Sequence, residues 1–175
     1  IELIKTMSLN TSDRIYIAGH RGMVGSAILR KLRNNQFQNI LTAERNELDL
    51  SKVQDVNDWF KNNKPDVVIL AAAKVGGILA NHNYPVEFLL ENMKIQNNLI
   101  ETSWNMGIKK LLFLGSSCIY PKYAEQPIKE EALLTGELEA TNQWYAIAKI
   151  SGLKLCEALR RQFEFDSISL MPTNL

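Results

Sequence analysis

The sequence predicts an α/β protein whose core is a doubly wound parallel sheet. Short apolar runs alternate with longer segments that have the apolar periodicity of helices, which is the pattern of βαβ units. Residues 66–73, DVVILAAA, are almost wholly apolar, as in a central parallel strand that is covered on both faces. The first apolar run leads directly into glycines that open a helix. Together these observations predict a Rossmann-like sheet with the strand order 3-2-1-4-5.

Local signals place each element in order along the chain. Apolar runs predict five strands, over residues 14–18, 39–42, 66–73, 110–116 and 167–171. Helical periodicity and terminal signals predict four helices, over residues 22–34, 51–62, 85–105 and 142–163. Ser51 is the expected N-cap of the second helix, and Pro85 and Gly107 bound the third. We expect one domain over residues 13–175, preceded by an extension over residues 1–12 that is natural or left from cloning.

Composition excludes several classes of protein. The chain has 175 residues, of which 46% are hydrophobic and 22% charged, with 20 Lys and Arg against 19 Asp and Glu. These values argue against a disordered or fibrous protein, and the balanced charge argues against a nucleic-acid or membrane partner. No stretch has the roughly 18 apolar residues of a membrane span. Two cysteines and two histidines argue against a disulfide framework and a metal site, and favour a reducing, cytoplasmic location.

A glycine-rich turn follows the first strand and predicts a dinucleotide site. The turn has the pattern GxxGxxG and consists of Gly19, His20, Arg21, Gly22, Met23, Val24 and Gly25. In its strand–turn–helix setting the first glycine permits the tight turn and the second lets the backbone approach a pyrophosphate. The third permits close helix–strand packing, and the helix N-terminus offers N–H groups to the phosphates. A merely structural glycine turn is the alternative.

The residues after the second strand bear on which dinucleotide binds. An acid at this place binds the ribose hydroxyls of NAD, whereas an arginine accommodates the 2′-phosphate of NADP. The chain offers both, as Glu44 and Arg45, and Arg21 adds a second guanidinium near the phosphate position. Two arginines against one glutamate favour NADP(H). The alternative for either arginine is a solvated surface charge.

Candidate catalytic groups lie in two further segments. Tyr145 and Lys149 are four residues apart and so share one helix face, where the ammonium is expected to lower the pKa of the phenol. Tyr145 is then a candidate general acid–base. Ser116 and Cys118 follow the fourth strand, at the edge where ligands bind parallel sheets. Ser116 can polarise a carbonyl, and Cys118 is either a proton-transfer group or a small buried hydrophobe.

These motifs together resemble a known family. The segments IAGHRGMVGSAI, LAAAKVGGI, LLFLGSSCIYPK, YAIAKI and MPTNL are similar to those of extended short-chain dehydrogenase/reductases that act on nucleotide sugars. The similarity is closest to the GDP-4-keto-6-deoxy-D-mannose 3,5-epimerase-4-reductases. It implies an NADPH-dependent enzyme that epimerises C3 and C5 and then reduces C4. It also implies that a C-terminal GDP-sugar-binding domain, with a partner histidine for epimerisation, lies beyond Leu175.

The resemblance also implies a role for each site residue. Ser116, Tyr145 and Lys149 would form the reductase triad, and Cys118 would exchange protons at C3 and C5. Arg21 and Arg45 would hold the 2′-phosphate, although Glu44 beside Arg45 departs from the family pattern. The implied cofactor set further includes the glycine turn, Lys149, and the residues Ala71, Ala72, Pro172, Thr173, Asn174 and Leu175. The helices over 85–105 and 142–163 would pair two copies as a homodimer, although burial in the core explains their apolar content equally well.

Two other functions stay open at this point. One is another nucleotide-sugar enzyme, a 4-epimerase or a 4,6-dehydratase. A dehydratase is expected to carry an acid pair in place of Ser116–Cys118, and a simple 4-epimerase does not need Cys118. The other is a cofactor-binding module without catalysis, which the missing substrate domain favours. The intact pair of Tyr145 and Lys149 argues against it.

Overall fold

A five-stranded parallel sheet forms the centre of the molecule. The computed structural model describes residues 8–173. The strands are β1 (Ile15–Ala18), β2 (Ile40–Leu41), β3 (Val67–Leu70), β4 (Lys110–Leu114) and β5 (Ser167–Leu170). Their order in the sheet is β2-β1-β3-β4-β5, and every neighbouring pair is parallel. The doubly wound α/β class that the sequence predicts is therefore confirmed.

The strand order has the winding expected of a Rossmann-like sheet, with β1 and β3 at the centre. The predicted order 3-2-1-4-5 has the same winding as the observed order β2-β1-β3-β4-β5, which moves outward from β1 on one side and then outward on the other. Residues 42–52, between β2 and the next helix, contain turns and no strand. Leu48 in this segment is buried in the core.

Within the described residues, five α-helices cover the sheet and connect its strands. They are α1 (Met23–Asn34), α2 (Val53–Asn63), α3 (Ile78–Asn83), α4 (Pro85–Asn105) and α5 (Gln143–Phe163). Short 3-10 helices occupy Ser117–Ile119 and Glu130–Ala132. The short helix α3 was not predicted. Ser51 does not cap α2, because its hydroxyl donates to Asp49 Oδ1 at 2.7 Å and the helix begins two residues later.

Both faces of the sheet are buried, which explains the continuous apolar runs. One face, which carries Tyr16, Val68 and Phe113, packs against α2, α4 and α5. The other face carries Ile17 and Ile69 and packs against the apolar side of α1. The strand β3 ends at Leu70, earlier than the apolar run predicts, so residues 71–76 leave the sheet at its carboxyl edge. None of the helices over residues 8–173 combines the length and the apolarity that a bilayer crossing requires.

Candidate active site

A cleft of about 1150 Å³ opens at the carboxyl edge of the sheet. Its walls come from the segments that follow β1, β2, β3 and β4, together with one side of α4 and the first turns of α5. This is the edge at which parallel sheets bind ligands. Most of the residues that the sequence singled out line the cleft. They are the turn 19–25, Arg45, Ala71, Ala72, Ser116, Tyr145, Lys149, Pro172 and Thr173.

The glycine turn folds tightly against the end of β3. Gly19 has φ +86°, and a Cβ there would lie 2.7 Å from the backbone nitrogen of Ala72. A Cβ at Gly25 would lie 2.1 Å from the carbonyl oxygen of Gly19. Both glycines are therefore required for the fold of the turn itself. Gly22 is less crowded, and its N–H donates to Gly19 O at 3.0 Å.

The N-terminus of α1 presents free backbone donors to the cleft. Gly22 is its extended N-cap, no side chain caps the helix, and its first turn carries no acidic residue. The N–H groups of Met23, Val24 and Gly25 thus have no partner within the helix, and all three residues line the cleft. Such donors, together with the positive end of the helix dipole, match the oxygens of a pyrophosphate. We call these three N–H groups, of Met23, Val24 and Gly25, the pyrophosphate cradle. The cradle fits a dinucleotide.

Charged groups cluster where the chain leaves β2. Arg21 Nη2 lies 2.7 Å from Glu44 Oε1, and His20 Nε2 lies 3.4 Å from the same oxygen. Arg45 lines the cleft beside them. The structure thus brings together both arginines and the glutamate that the sequence singled out. His20 faces the same carboxylate.

Lys149 is anchored at the opposite end of the cleft. It is only 4% exposed, and its Nζ donates to the carbonyl oxygen of Leu114 at 2.8 Å. The same Nζ lies 4.9 Å from the ring centre of Phe113 and 5.7 Å from that of Tyr145. Burial disfavours the charged ammonium and lowers the pKa of Lys149 to about 8. The amine is therefore held rigidly within reach of the cleft.

The pKa of Tyr145 departs from the sequence prediction. Burial of the phenol, together with the negative charge that nearby Cys118 carries when ionised, raises its pKa to about 12. The expectation that Lys149 lowers this pKa is wrong for the free protein, because desolvation outweighs an ammonium that already donates to Leu114. Tyr145 is thus a protonated phenol near neutral pH, the form in which it can donate a proton.

Ser116 and Cys118 lie together just after β4. Ser116 caps the short helix at Ser117–Ile119, and its Oγ accepts from the Cys118 N–H at 3.4 Å. Ser116 lines the cleft, and the half-buried Cys118 lies behind it within electrostatic range of Tyr145 and Lys149. Burial raises the pKa of the Cys118 thiol. Asn174 and Leu175, the last two expected cofactor contacts, lie outside the described residues.

The sequence prediction missed several cleft residues. Asn92 on α4 is 2% exposed, and its side-chain amide clamps the Lys74 peptide group. Its Oδ1 accepts from the Lys74 N–H at 2.8 Å, and its Nδ2 donates to the Lys74 oxygen at 3.0 Å. Glu91, Lys94 and Ile95 line the cleft themselves, whereas Asn92 is joined to it through Lys74. Their helical spacing was the available signal, since it places all three on one side of α4.

The fold and the cleft define a class of protein. A doubly wound parallel sheet, a glycine turn that fits a pyrophosphate and a Ser–Tyr–Lys set at one edge describe a dinucleotide-binding domain of the Rossmann type. Comparison with known families agrees with this description. The chain belongs to the NAD dependent epimerase/dehydratase family, whose sequence profile matches residues 15–175.

Individual proteins of this family are also similar to the chain over most of its length. The chain is 57% identical to GDP-L-fucose synthase 1 of Arabidopsis thaliana over 172 residues, which are 98% of this chain and 53% of that protein. It is 53% identical to the GDP-L-fucose synthase of Escherichia coli, over 94% of this chain and 51% of that protein. A solved GDP-mannoheptose C4 reductase from Campylobacter jejuni with NADP bound superposes with TM-score 0.92 at 40% identity, covering 95% of this chain and 49% of that one. The chain spans about half the length of the curated relatives it matches.

Proposed function

We propose that this chain forms the cofactor-binding and reductase part of an enzyme that converts GDP-4-keto-6-deoxy-D-mannose to GDP-L-fucose with NADPH. The observation that carries the proposal is the convergence of the pyrophosphate cradle with Ser116, Tyr145 and Lys149 in one cleft. The identity to GDP-L-fucose synthases supports the choice of substrate. The NADP in the C4 reductase from Campylobacter supports the choice of cofactor.

The residues present would hold the dinucleotide along the cleft. The N–H groups of the first turn of α1 would bind its pyrophosphate, and Arg21 with Arg45 would bind a 2′-phosphate. Lys149 would donate to the nicotinamide ribose at the far end. When bound, the cofactor supplies the hydride that reduces the C4 ketone.

The chain's own side chains would then act on the C4 oxygen. The Ser116 hydroxyl would donate a hydrogen bond to this oxygen and so stabilise the negative charge that develops there. Tyr145, which is protonated near neutral pH, would transfer its proton to the same oxygen. Lys149, with its pKa of about 8, is largely protonated and would favour the phenolate that remains.

Epimerisation would use the same polarised ketone. A C4 carbonyl acidifies the protons on C3 and C5, because their removal gives an enolate whose charge rests on the C4 oxygen. Groups that stabilise this oxygen for reduction would therefore serve proton exchange as well. Cys118, beside Ser116, would be the proton-transfer group on this chain.

A chimera tests the proposal. Residues 1–175 would replace the matching half of the Escherichia coli relative, so that its C-terminal half completes the protein. We expect this chimera to consume NADPH in the presence of GDP-4-keto-6-deoxy-D-mannose and to release GDP-L-fucose, measured by absorbance and by chromatography. The variant Tyr145→Phe should lower the rate by about a hundredfold or more while NADPH still binds, because it loses the proton donor.

A tyrosine elsewhere in the chain provides the control. Tyr123 is 85% exposed and does not line the cleft, so Tyr123→Phe should leave the rate unchanged. An active Tyr145→Phe chimera would refute the role assigned to Tyr145. A folded chimera that binds NADPH but does not reduce this substrate would refute the function.

The similarity to the C4 reductase from Campylobacter favours a second candidate, a GDP-sugar C4 reductase without epimerisation. Deuterium exchange at C3 and C5 of the substrate separates the two. An epimerase–reductase chimera should lose exchange in Cys118→Ser and retain it in Cys156→Ser, since Cys156 lies on the buried side of α5 and does not line the cleft. No exchange in the parent chimera would favour the second candidate.

A further inference from the structure

Glu44 occupies a position that bears directly on which dinucleotide the cleft accepts. Its Oε1 lies 2.7 Å from Arg21 Nη2 and 3.4 Å from His20 Nε2. It lines the cleft just after β2, where a doubly wound sheet receives the adenosine ribose of a dinucleotide. A carboxylate and a guanidinium therefore share the subsite that distinguishes a ribose hydroxyl from a ribose phosphate.

A fixed turn presents this carboxylate. The N–H of Glu44 donates to Glu47 Oε2 at 2.8 Å, and its carbonyl oxygen accepts from Glu47 N and Leu48 N at 3.0 and 2.9 Å. Leu48 is buried in the core and anchors the turn. Because its backbone is held, Glu44 stays at the cleft whether or not Arg21 remains paired with it.

The two side chains differ in how freely they can move. The Arg21 side chain is 77% exposed and that of Glu44 is 33% exposed. An ion pair in such surroundings is worth little in water, so Arg21 can leave Glu44 for a phosphate at small cost. A 2′-phosphate would then be attracted by the Arg21 guanidinium but repelled by the negative charge of Glu44. A 2′-hydroxyl would instead donate to the carboxylate.

We propose that Glu44 lowers the discrimination of this chain between NADPH and NADH, so that both bind with comparable affinity. In the NADH complex Glu44 accepts hydrogen bonds from the ribose hydroxyls and remains paired with Arg21. In the NADPH complex Arg21 pairs with the 2′-phosphate against the repulsion of Glu44. The inference rests on the proposed function only in requiring that the cleft bind a nicotinamide dinucleotide.

Calorimetric titration of the 175-residue chain with each dinucleotide tests this directly. For the unaltered chain we expect NADPH to bind more tightly than NADH, by less than about tenfold. Glu44→Gln should tighten NADPH by about fivefold, because the repulsion is gone, and should weaken NADH by about fivefold, because the charged acceptor is gone. Glu44→Thr should change the affinity for NADPH in the same direction.

Two further variants make the result specific. Glu101→Gln removes the same charge from an exposed place on α4 outside the cleft and should change neither affinity. Arg21→Gln should weaken NADPH and leave NADH within about twofold, since only the phosphate needs the guanidinium. If both dinucleotides bind but Glu44→Gln leaves their ratio unchanged, the inference is overturned and the proposed function stands. If neither binds the unaltered chain, the proposed function fails and the inference fails with it.

Discussion

Lys149 Nζ donates to the carbonyl oxygen of Leu114 at 2.8 Å, and this bond joins α5 to the end of β4. The carbonyl belongs to the last residue of a central strand, two residues before Ser116. The ammonium is therefore positioned by the sheet rather than by its own helix alone. One buried cation thus fixes the distance between the two segments that carry Ser116 and Tyr145.

Burial of Lys149 makes stability depend on pH in a way that can be measured. Its pKa falls from 10.5 to about 8 on folding, so the unfolded chain binds more protons between these pH values. The free energy of unfolding that Lys149 contributes therefore rises as pH goes from about 8 to 10.5. We expect the stability of the unaltered chain relative to Lys149→Met to increase by about 2 kcal/mol between about pH 7.5 and about pH 10.

Urea unfolding of both proteins at the two pH values gives this difference. Lys154→Met provides the control, because Lys154 lies on the same helix with an exposed side chain, paired with Glu157. Its stability relative to the unaltered chain should not vary with pH over this range. A difference for Lys149→Met that is constant with pH would contradict the lowered pKa.

The contact between Gly25 and Gly19 predicts a large effect of one methyl group. Gly25→Ala would place a Cβ 2.1 Å from a backbone oxygen that cannot move without opening the turn. We expect it to lower the free energy of unfolding by about 2 to 3 kcal/mol and to weaken dinucleotide binding. Gly77→Ala, whose Cβ meets nothing within 4 Å and whose φ is −67°, should be neutral or slightly stabilising. Thermal and urea unfolding of both variants measure these changes. If Gly25→Ala and Gly77→Ala changed the free energy of unfolding by equal amounts, the close contact at Gly25 would be contradicted.

The clamp of Asn92 on the Lys74 peptide should be visible in hydrogen exchange. Asn92→Ala removes both bonds to the segment that lines the cleft after β3, so the Lys74 amide should exchange at least about tenfold faster. The buried amide also donates to Phe88 O, and we expect a loss of about 1 to 3 kcal/mol in stability. Asn97→Ala on the same helix should leave Lys74 exchange unchanged. Unaltered exchange in Asn92→Ala would show that other contacts hold the segment.

The two cysteines should differ in reactivity without any ligand. Burial raises the pKa of Cys118 above its ordinary value of 9.0 and that of Cys156 to about 12. Alkylation by iodoacetamide, followed by peptide mass spectrometry, should therefore modify half-buried Cys118 first, at a rate that still increases above about pH 9. Cys156 should react only when the chain unfolds. Rapid alkylation of Cys118 near neutral pH would mean that its thiolate is stabilised by a contact this structure does not contain.

Much of the fold could be predicted because a parallel sheet leaves a strong local signal. Strands such as β3 and β4 are buried on both faces, so their residues read as continuous apolar runs. The sequence predicted the ends of these strands less accurately than their presence. The run that contains β3 continues to Ala73, but the strand ends at Leu70, and the residues after it pack against Gly19 and bond to Asn92 of α4. The sequence also did not predict the turns over residues 42–52, since this segment lacks the apolar alternation of a strand and no other local pattern marked it.

The sequence by itself determined the glycine turn and the spacing of Tyr145 and Lys149, because each depends on residues within one turn or one helix. Only the tertiary structure decided that Asn92 holds Lys74 and that Arg21 pairs with Glu44, since these partners are distant along the chain. It also decided the pKa of Tyr145. A neighbouring ammonium can be read from a sequence, but desolvation depends on how the whole chain packs around the phenol, and here desolvation is the larger effect.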